Sequence, residues 1–495
     1  MSSFLLLNEK VVIDFTMNWC KVVSDNSQEL HEFLYNYLSY QPEGFFFSPR
    51  YQDQKWDGYS RLYKPGTQRF RAGLLSRTVE ELERIGCEVE VKGVQSKDVK
   101  EVKTLVYKNG EGTEVSLRPY QVKAVLSALN SRIGIIQAPP RSGKTLISTA
   151  IIDNENEFPV NFYVRSKDLA YQTLKVFSQN FSHLNLGFIC DGMSSIGDIN
   201  IITIQSAYSA FDKKYKEKGL YEEKDVDNKK EVREAVREGK VLFFDECHHF
   251  SAASSRFIYD KSTSCVMKIG LSATPFSDKS DFILVEESTG PVIYQISYSE
   301  LIKEGYLMKP YIYLYKLPKM QLEGVYPSVY NKAVVENSFL TSLVKTIVKR
   351  LNSKGKSVAI QTEFINHSKN LSRELNCEYL VGNDTSEKRQ RVIQDLIDKK
   401  IMCLVSTLLE EGIDLPTLDY TINLAGGLSN IGTFQRMRSI TAHETKTSIG
   451  IIDFIHQCKY LKKHSKKRLD LYSLEPEFEI EIRDVSKKTL QEISI

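Results

Sequence analysis

A phosphate-binding signature occupies Ala138–Thr145, where the sequence reads APPRSGKT. It follows the apolar run Ile133–Gln137 and precedes a segment with a helical pattern. A phosphate chain needs backbone N–H donors at close approach and a positive charge, and a Gly-Lys-Thr turn at a helix N-terminus supplies both. We therefore expect Lys144 to pair with the β- and γ-phosphates of ATP and the Thr145 hydroxyl to bind Mg²⁺. The other turn residues expected around the nucleotide are Pro139, Pro140, Arg141, Ser142 and Gly143.

Two adjacent acids end a second apolar run, in the sequence VLFFDECHHF at Val241–Phe250. Phosphoryl transfer needs a metal ion to neutralise charge and a carboxylate to orient the attacking water. We expect Asp245 to hold Mg²⁺, Glu246 to orient and deprotonate the water, and His248 to face the γ-phosphate. The next residue, His249, has no such support and is predicted to be a packing or surface residue.

The elements that would position these residues are apolar strands alternating with helices, in one series from Arg118 and another after Lys332. Such alternation is typical of parallel sheets covered by helices on both faces. We expect an α/β fold with two tandem parallel-sheet lobes after a small α+β domain. The predicted divisions are an N-terminal DNA-binding domain at 1–110, lobe 1 at 111–305, a linker at 306–331, lobe 2 at 332–458 and a C-terminal basic helix and tail at 459–495.

Composition narrows the class of protein. The 66 basic and 63 acidic residues give a net charge of only +3, so nucleic-acid contact must come from local patches. Eight scattered cysteines have neither zinc-ligand spacing nor the pattern of a disulfide framework, which favours a reducing cytosol. The sequence contains no apolar run of about eighteen residues, so we expect no membrane span.

The motifs together resemble the superfamily 2 helicases of the DEAD/DEAH-box type, over about Arg118–Phe454. Besides the two segments above, the resemblance rests on LRPYQ, VRSKDLAYQ, ITIQS, SATP and VSTLLEEGIDLP. It implies two RecA-like lobes and ATP-driven movement along nucleic acid. The residues implied for nucleotide contact are Arg118, Gln121, Gly412 and Asp414. Those implied for nucleic-acid contact are Arg165, Gln172, Thr203, Gln205 and Thr407. Those implied for coupling hydrolysis to movement are Ser272 and Thr274.

An arginine finger is implied by QRMRS at Gln435–Ser439, which resembles the family pattern Q-R-x-G-R-x-x-R. Here Arg438 stands at the glycine position and Ser439 at the finger position. Two alternatives therefore stay open, since either Arg436 or Arg438 can supply the finger; the sequence slightly favours Arg438. A finger of this kind raises the rate by about 10³–10⁵.

The N-terminal runs FSPRYQDQKWDGYSRLY and RFRAGLL resemble the small N-terminal domain of UvsW-like phage helicases, which migrate DNA branches in recombination and replication restart. Cationic and aromatic residues interleave in these runs, a composition that suits phosphate contact and base stacking. The expected nucleic-acid contacts are Arg50, Lys55, Trp56, Arg61 and Arg69. The alternative is a small β-domain whose aromatic residues form its core while its charges are solvated.

The resemblance implies an ATP-dependent DNA helicase or translocase that remodels forks, Holliday junctions and displacement loops in recombination, repair or replication. The expected partners are branched or fork DNA with a single strand across the lobes, RNA–DNA hybrid, and recombination or single-strand-binding proteins. The expected location is the cytoplasm, that of the host if the chain is phage-encoded. Two alternatives remain: an RNA-directed helicase, and a motor subunit of a restriction or nuclease complex, for which Glu90–Val91–Lys92 is half of a metal-nuclease motif.

Overall fold

The computed structural model describes residues 8–23, 26–93, 97–211, 223–251, 253–273, 282–409, 415–426 and 449–485. The chain divides into two compact units, each described here by itself. The N-terminal unit runs to Pro139 and continues over Gly143–Gln295, whereas Pro140–Ser142 are grouped with the C-terminal unit from Ile296 onward. Within the described ranges, no helix is long and apolar enough to cross a membrane.

The N-terminal unit begins with a small α+β segment. Its strands are β1 Lys10–Phe15, β2 Trp19–Val22, β3 Ser39–Tyr40, β4 Ser60–Arg61, β5 Arg69–Arg71 and β6 Glu88–Lys92. Its helices are α1 Gln28–Tyr37, α2 Pro49–Gln52 and α3 Leu75–Arg84, with 3₁₀ turns at Phe45–Phe47 and Ala72–Leu74. The main sheet has the order β5-β2-β1-β6. In β1, alternate residues Val11, Ile13 and Phe15 are buried, which is the two-residue period of a strand with one face on a core.

The first lobe is built on a larger, mostly parallel sheet. A hairpin comes before it in the chain, formed by β7 Val106–Lys108 and β8 Glu114–Ser116. Its strands are β9 Ile133–Gln137, β10 Val160–Val164, β11 Leu186–Cys190, β12 Met193–Ser195, β13 Ile199–Thr203, β14 Val241–Asp245, β15 Met267–Ser272 and β16 Val292–Gln295. Its helices are α4 Pro119–Ser131, α5 Lys144–Glu155, α6 Lys167–Asn180, α7 Ile204–Phe211, α8 Glu223–Glu238, α9 Ala253–Lys261 and α10 Phe282–Thr289, with a 3₁₀ turn at Cys247–Ser251. The strand order is β12-β11-β13-β10-β14-β15-β9-β16.

The register of this sheet brings distant parts of the chain to one edge. Every residue of β10 and β13 is buried, as expected for central strands covered on both faces. Gln137 pairs with Ser272, and Asp245 pairs with Leu271. Because these strands are parallel, their carboxyl ends, and the turns that follow them, lie along the same edge of the sheet.

The C-terminal unit contains a second lobe built on a fully parallel sheet. Its strands are β17 Tyr311–Lys319, β18 Val358–Gln361, β19 Glu378–Leu380, β20 Cys403–Ser406, β21 Tyr420–Asn423, β22 Gly450–Gln457 and β23 Glu479–Asp484. Its helices are α11 Tyr298–Lys303, α12 Tyr326–Tyr330, α13 Ser338–Ser353, α14 Ile365–Leu375, α15 Ser386–Ile397 and α16 Leu461–Ser473, with a π-helical turn at Asn331–Val335. The strand order is β19-β20-β18-β21-β22-β17-β23. The predicted α/β fold with two RecA-like lobes is confirmed.

Two predicted divisions of the chain differ from this architecture. The segment predicted as a linker, residues 306–331, contains β17, which lies between β22 and β23 in the second sheet. The predicted C-terminal tail contains β23, the edge strand of that sheet. In both cases the strand pairs with residues far away in the chain, so local sequence patterns do not reveal its place in the sheet.

The N-terminal segment also differs from the separate domain predicted at residues 1–110. Its apolar core continues into the first lobe, where Ile283 and Leu284 of α10 pack against it. Gly73 approaches the backbone of α10 so closely that a Cβ atom there would lie 2.0 Å from the Glu286 carbonyl oxygen. The segment and the first lobe therefore form one compact unit.

Candidate nucleotide-hydrolysis site and nucleic-acid contacts

The phosphate-binding turn joins β9 to α5 at the carboxyl edge of the first sheet. Gly143 precedes α5 with a left-handed φ of 80°, and a Cβ atom there would lie 2.4 Å from the side-chain nitrogen of Gln121. Glycine is therefore required for both conformation and space. The Lys144 ammonium donates to the Ala138 carbonyl at 3.3 Å, so this side chain folds back over the turn. Lys144 and Thr145 begin the helix, where the first N–H groups have no intrahelical acceptor.

The two acids follow β14 along the same edge. Asp245 Oδ1 accepts a hydrogen bond from the Glu246 N–H at 3.0 Å. Glu246 has a left-handed φ of 50°, an uncommon conformation that is often found at functional sites when the residue is not glycine. Its Oε1 lies 4.0 Å from Lys144 Nζ, and the two side chains are only 23% and 12% exposed.

The charge state of Asp245 depends on its surroundings. Burial and the Glu246 carboxylate raise the pKa of Asp245, while the Lys144 ammonium opposes this shift. Two neighbouring carboxylates repel each other when both are ionised, so a cation beside them favours the doubly ionised form. The pair is therefore suited to bind a positively charged partner.

A histidine and a serine meet beside the acids. His248 Nδ1 lies 2.9 Å from the Oγ atom of Ser272, the last residue of β15. The same nitrogen lies 3.4 Å from Glu246 Oε2. Burial, then the charges of Arg165 and Lys144, lowers the pKa of His248 to about 3. The imidazole is therefore neutral near pH 7, and it links the turn after β14 to the end of β15.

The segment before α4 supports the phosphate-binding turn. The Arg118 N–H donates to Gln121 Oε1 at 2.8 Å, and Gln121 is buried. The Gln121 side chain also lies against Gly143, because a Cβ atom at Gly143 would be only 2.4 Å from the Gln121 side-chain nitrogen. The structure thus brings Gln121 together with the turn. Pro139, Pro140, Arg141 and Ser142 occupy the chain between β9 and Gly143.

The first-lobe residues predicted to contact nucleic acid follow strand ends or lie on the next helix. Arg165 follows β10, Gln172 lies on α6, Thr203 ends β13 and Gln205 lies on α7. Arg165 Nη1 lies 2.7 Å from His249 Nε2. Burial, and then the neighbouring His248, lowers the pKa of His249 to about 3. His249 therefore connects the acid-bearing turn to Arg165, a role that the sequence did not reveal because the two residues are 84 positions apart.

The second-lobe site is described only in part. Thr407 follows β20, and its N–H donates to the Leu380 carbonyl at 3.2 Å. Five of the predicted site residues lie outside the described residues: Thr274, Gly412, Asp414, Arg436 and Arg438.

The predicted N-terminal contacts differ in accessibility. Arg50, Lys55 and Arg69 are exposed. Trp56 is half-buried, with its Nε1 donating to the Tyr59 carbonyl at 2.7 Å. Arg61 is half-buried between the rings of Tyr35 and Tyr59, with its Cζ 4.9 Å and 5.0 Å from their centroids, and it is ion-paired with Asp57.

The same basic and aromatic stretch also supplies core residues. Tyr63 and Phe70 are fully buried, and Arg71 is buried in ion pairs with the first lobe. The aromatic residues of the stretch are therefore divided between the surface and the core, and nucleic-acid contact by its exposed residues stays a prediction.

Known proteins match this architecture along most of the chain. Residues 114–277 match the family described as Type III restriction enzyme, res subunit, and residues 339–438 match the helicase conserved C-terminal domain. Putative helicase 22 of Sulfolobus islandicus filamentous virus is 26% identical over 416 residues, covering 77% of this chain and 71% of that protein. The ATP-dependent DNA helicase uvsW of Enterobacteria phage T4 is 22% identical over 492 residues, covering 90% of this chain and 93% of that protein.

Solved structures of other proteins share the fold. The ATP-dependent Type ISP restriction-modification enzyme LlaBIII, bound to DNA, matches with a TM-score of 0.53 and 15% identity, over 77% of this chain and 32% of that one. The fold, the two family matches and the relatives define this protein as an ATP-dependent helicase. In both matched segments the chain resembles the superfamily 2 helicases, and it is similar to the phage UvsW protein over most of its length.

Proposed function

We propose that this chain hydrolyses ATP at the site formed by Lys144, Asp245 and Glu246, and uses the energy to migrate branch points in DNA. The observation that carries the proposal is the 4.0 Å approach of Lys144 Nζ to Glu246 Oε1 at the edge of a parallel sheet. A phosphate-binding cation and a candidate base face each other there, within reach of one γ-phosphate and its attacking water.

Each residue has a proposed part in hydrolysis. The N–H groups at the start of α5 and the Lys144 ammonium bind the β- and γ-phosphates. Glu246 orients a water molecule and takes its proton as the new phosphorus–oxygen bond forms and the bond to the β-phosphate oxygen breaks. His248, neutral and 2.9 Å from Ser272 Oγ, transmits a change at the γ-phosphate to β15. Gln121 and Arg118 are proposed to contact the base.

The residues present suit a magnesium ion. Mg²⁺ is usually held by one or two carboxylates together with substrate phosphates. Asp245 offers carboxylate oxygens at the end of β14, and Thr145 offers a hydroxyl oxygen at the start of α5. The ion, when bound, neutralises charge on the phosphates.

DNA is the proposed track, and branch migration is the proposed task. Support comes from similarity over 90% of the chain to a phage protein named as an ATP-dependent DNA helicase. Breaking a base-pair step costs ~1.4 kcal/mol on average, but a migrating branch forms one pair for each pair it breaks. This balance favours branch migration over the unwinding of long duplexes. The proposed strand contacts are Arg165, Gln172, Thr203, Gln205 and Thr407, with Arg50, Lys55 and Arg69 as duplex contacts.

The test compares Glu246→Gln with the wild-type protein on a labelled four-way junction, with and without Mg²⁺. We expect the wild type to hydrolyse ATP and convert the junction into two duplexes, and Glu246→Gln to bind ATP and do neither. Glu157→Gln is the matched control, because Glu157 is an exposed residue of the first lobe. Normal turnover by Glu246→Gln would refute the proposed base. ATP turnover without movement of the junction would refute branch migration alone.

A second candidate function is that of a motor in a restriction complex, which the match to a restriction-enzyme family favours. The half-motif residue Glu90 lies on β6, where it is ion-paired with Lys10 at 3.3 Å and with Lys92 at 3.7 Å. A metal-nuclease motif also needs an upstream acid, and the nearest candidate, Asp57, lies in a loop where it accepts a hydrogen bond from the Tyr59 N–H at 3.0 Å. Cut strands on a denaturing gel, made with ATP and Mg²⁺, would favour this second function.

A further inference from the structure

A groove lined by lysines lies in the second lobe, beside the beginning of α16. It encloses about 740 Å³ between the chain that follows β17 and the chain that follows β22. Its five lysines are Lys319, Lys459, Lys462, Lys463 and Lys466. All five are exposed, and Tyr460 adds an exposed aromatic ring between them.

In the part of the chain that the structure describes, the lysines of this groove have no acidic partners. None of the residues that line it is acidic, and among the described residues no carboxylate lies within 4.0 Å of the five ammonium groups. Several lysines elsewhere in the same lobe are paired, such as Lys345 with Glu374 at 3.0 Å and Lys388 with Asp384 at 2.8 Å. Like charges gathered in one groove repel one another, and a polyanion relieves that repulsion.

The groove is held in place by buried contacts beneath it. Arg468 of α16 faces the core, where its Nε donates to Asp453 Oδ2 at 2.7 Å and its Nη2 to Asp453 Oδ1 at 2.9 Å. The Tyr472 hydroxyl donates to the same carboxylate at 3.0 Å. Because Arg468 and Asp453 are almost fully buried, α16 is fixed to β22 and presents its lysines in a set arrangement.

The position of the groove identifies the polyanion. Lys319 ends β17 and Lys459 closely follows β22, so the groove lies at the carboxyl edge of the second sheet. Thr407 follows β20 at the same edge, three strand positions away from β22. Strands lie about 4.8 Å apart, so roughly 14 Å separates these two points along the edge. A nucleic-acid strand of a few nucleotides spans that distance.

We propose that the lysine groove binds the phosphate backbone of the nucleic-acid strand that passes Thr407, and so extends the track along the second lobe. This inference rests on the proposed function, which supplies the strand. Lysine ammonium groups act as point charges on phosphates, so the contact is independent of base sequence and sensitive to salt. The Tyr460 ring offers a surface on which a base can stack.

The test uses the full chain and a fluorescent oligodeoxythymidylate of thirty nucleotides, with binding measured by anisotropy over a series of salt concentrations. The variant is Lys462→Gln with Lys466→Gln. The matched control is Lys345→Gln with Lys349→Gln, because each pair consists of exposed lysines four residues apart on a helix of the second lobe. Two lost phosphate contacts should reduce the slope of log K against log salt by about 1.4 for single strands. The control should keep the wild-type slope.

Three results would overturn the inference. An unchanged slope in the groove variant, with normal binding by the wild type, would overturn the groove and leave the proposed function intact. If the groove variant loses the binding of poly-glutamate that the wild type shows, but binds DNA as the wild type does, the occupant is an acidic protein segment. Failure of the wild type to bind DNA would refute the proposed function as well. Equal ATP turnover of variant and wild type in the absence of nucleic acid verifies that the variant is folded.

Discussion

Arg71 of the N-terminal segment donates from Nη2 to Asp260 Oδ2 of α9 at 2.7 Å. Its Nε lies 3.0 Å from Glu287 Oε1 on α10. The side chain is buried, and its Cζ lies 4.9 Å from the centroid of the Trp19 ring. Helix α9 follows the turn that bears the acids, so one arginine ties the N-terminal segment to the elements next to the hydrolysis site.

The first prediction concerns this arginine. Removing one partner of a buried ion pair costs up to about 3–5 kcal/mol, and here the cost is smaller because Glu287 keeps Arg256 at 3.0 Å. We expect Arg71→Ala to lower the thermal unfolding midpoint by several degrees. Lys55→Ala is the control, since the Lys55–Asp53 pair is exposed and contributes little. Equal midpoints for Arg71→Ala and the wild type would contradict the prediction.

The second prediction follows for a truncated chain. If residues 1–110 formed a separate domain, as their sequence predicts, their removal would leave basal ATP hydrolysis intact, whereas the structure predicts the opposite. The deletion uncovers Ile283 and Leu284 and leaves Glu286 and Glu287 without Arg77 and Arg71. We expect an aggregated or inactive product, measured by size-exclusion chromatography and ATP turnover. A monodisperse, active fragment would refute this prediction.

The third prediction concerns His248 and Ser272, whose side chains lie 2.9 Å apart. Residues in direct contact show interaction energies of about 0.5–3 kcal/mol in double-mutant cycles. We expect His248→Ala and Ser272→Ala to be non-additive in DNA-stimulated kcat, because each change alone breaks the same link. A cycle of Ser272→Ala with His183→Ala is the control, since His183 is exposed. Additive losses for the first pair would exclude a shared role.

The fourth prediction separates Arg436 from Arg438. Replacing the true finger with Ala should lower kcat by about 10³–10⁵, since the arginine stabilises charge that develops in the transition state. The affinity for ATP should change little. Turnover and nucleotide binding, measured for each single variant, identify the residue. Near-normal turnover in both variants would refute the predicted finger.

The fifth prediction concerns pH. Burial, and then the Arg468 charge, lowers the pKa of His456 to about 3, while Asp453 opposes the shift. The unfolded chain binds a proton at this residue below about pH 6.5, and the folded chain does not. The free energy of unfolding therefore falls as the pH falls from about 6.5 to 3, by up to about 1.4 kcal/mol per pH unit.

Thermal unfolding between pH 7.5 and 5 measures this effect. We expect His456→Gln to flatten the dependence of the unfolding midpoint on pH. The exposed His183, replaced by Gln, should leave it unchanged. A wild-type midpoint that does not change over this range would contradict the predicted contribution of His456.

The sequence by itself determined the parts of the site that local chain geometry creates. A strand followed by a Gly-Lys-Thr turn and a helix places Lys144 beside backbone N–H donors with little help from the rest of the fold. Apolar runs of four to six residues predicted parallel strands, because such strands are buried on both faces. Asp245 and Glu246 ended one of these strands, so their position at the sheet edge followed from that pattern.

Only the tertiary structure decided which distant residues meet. A sequence pattern can indicate that a side chain is buried, but it does not indicate which residues bury it. Those residues depend on the packing between elements that are far apart in the chain. Arg71 and Asp260 are 189 positions apart. His248, in the turn after β14, and Ser272, at the end of β15, are 24 positions apart. The pairing of β17 with β22 likewise made a strand of a predicted linker and brought Lys319 beside the lysines of α16.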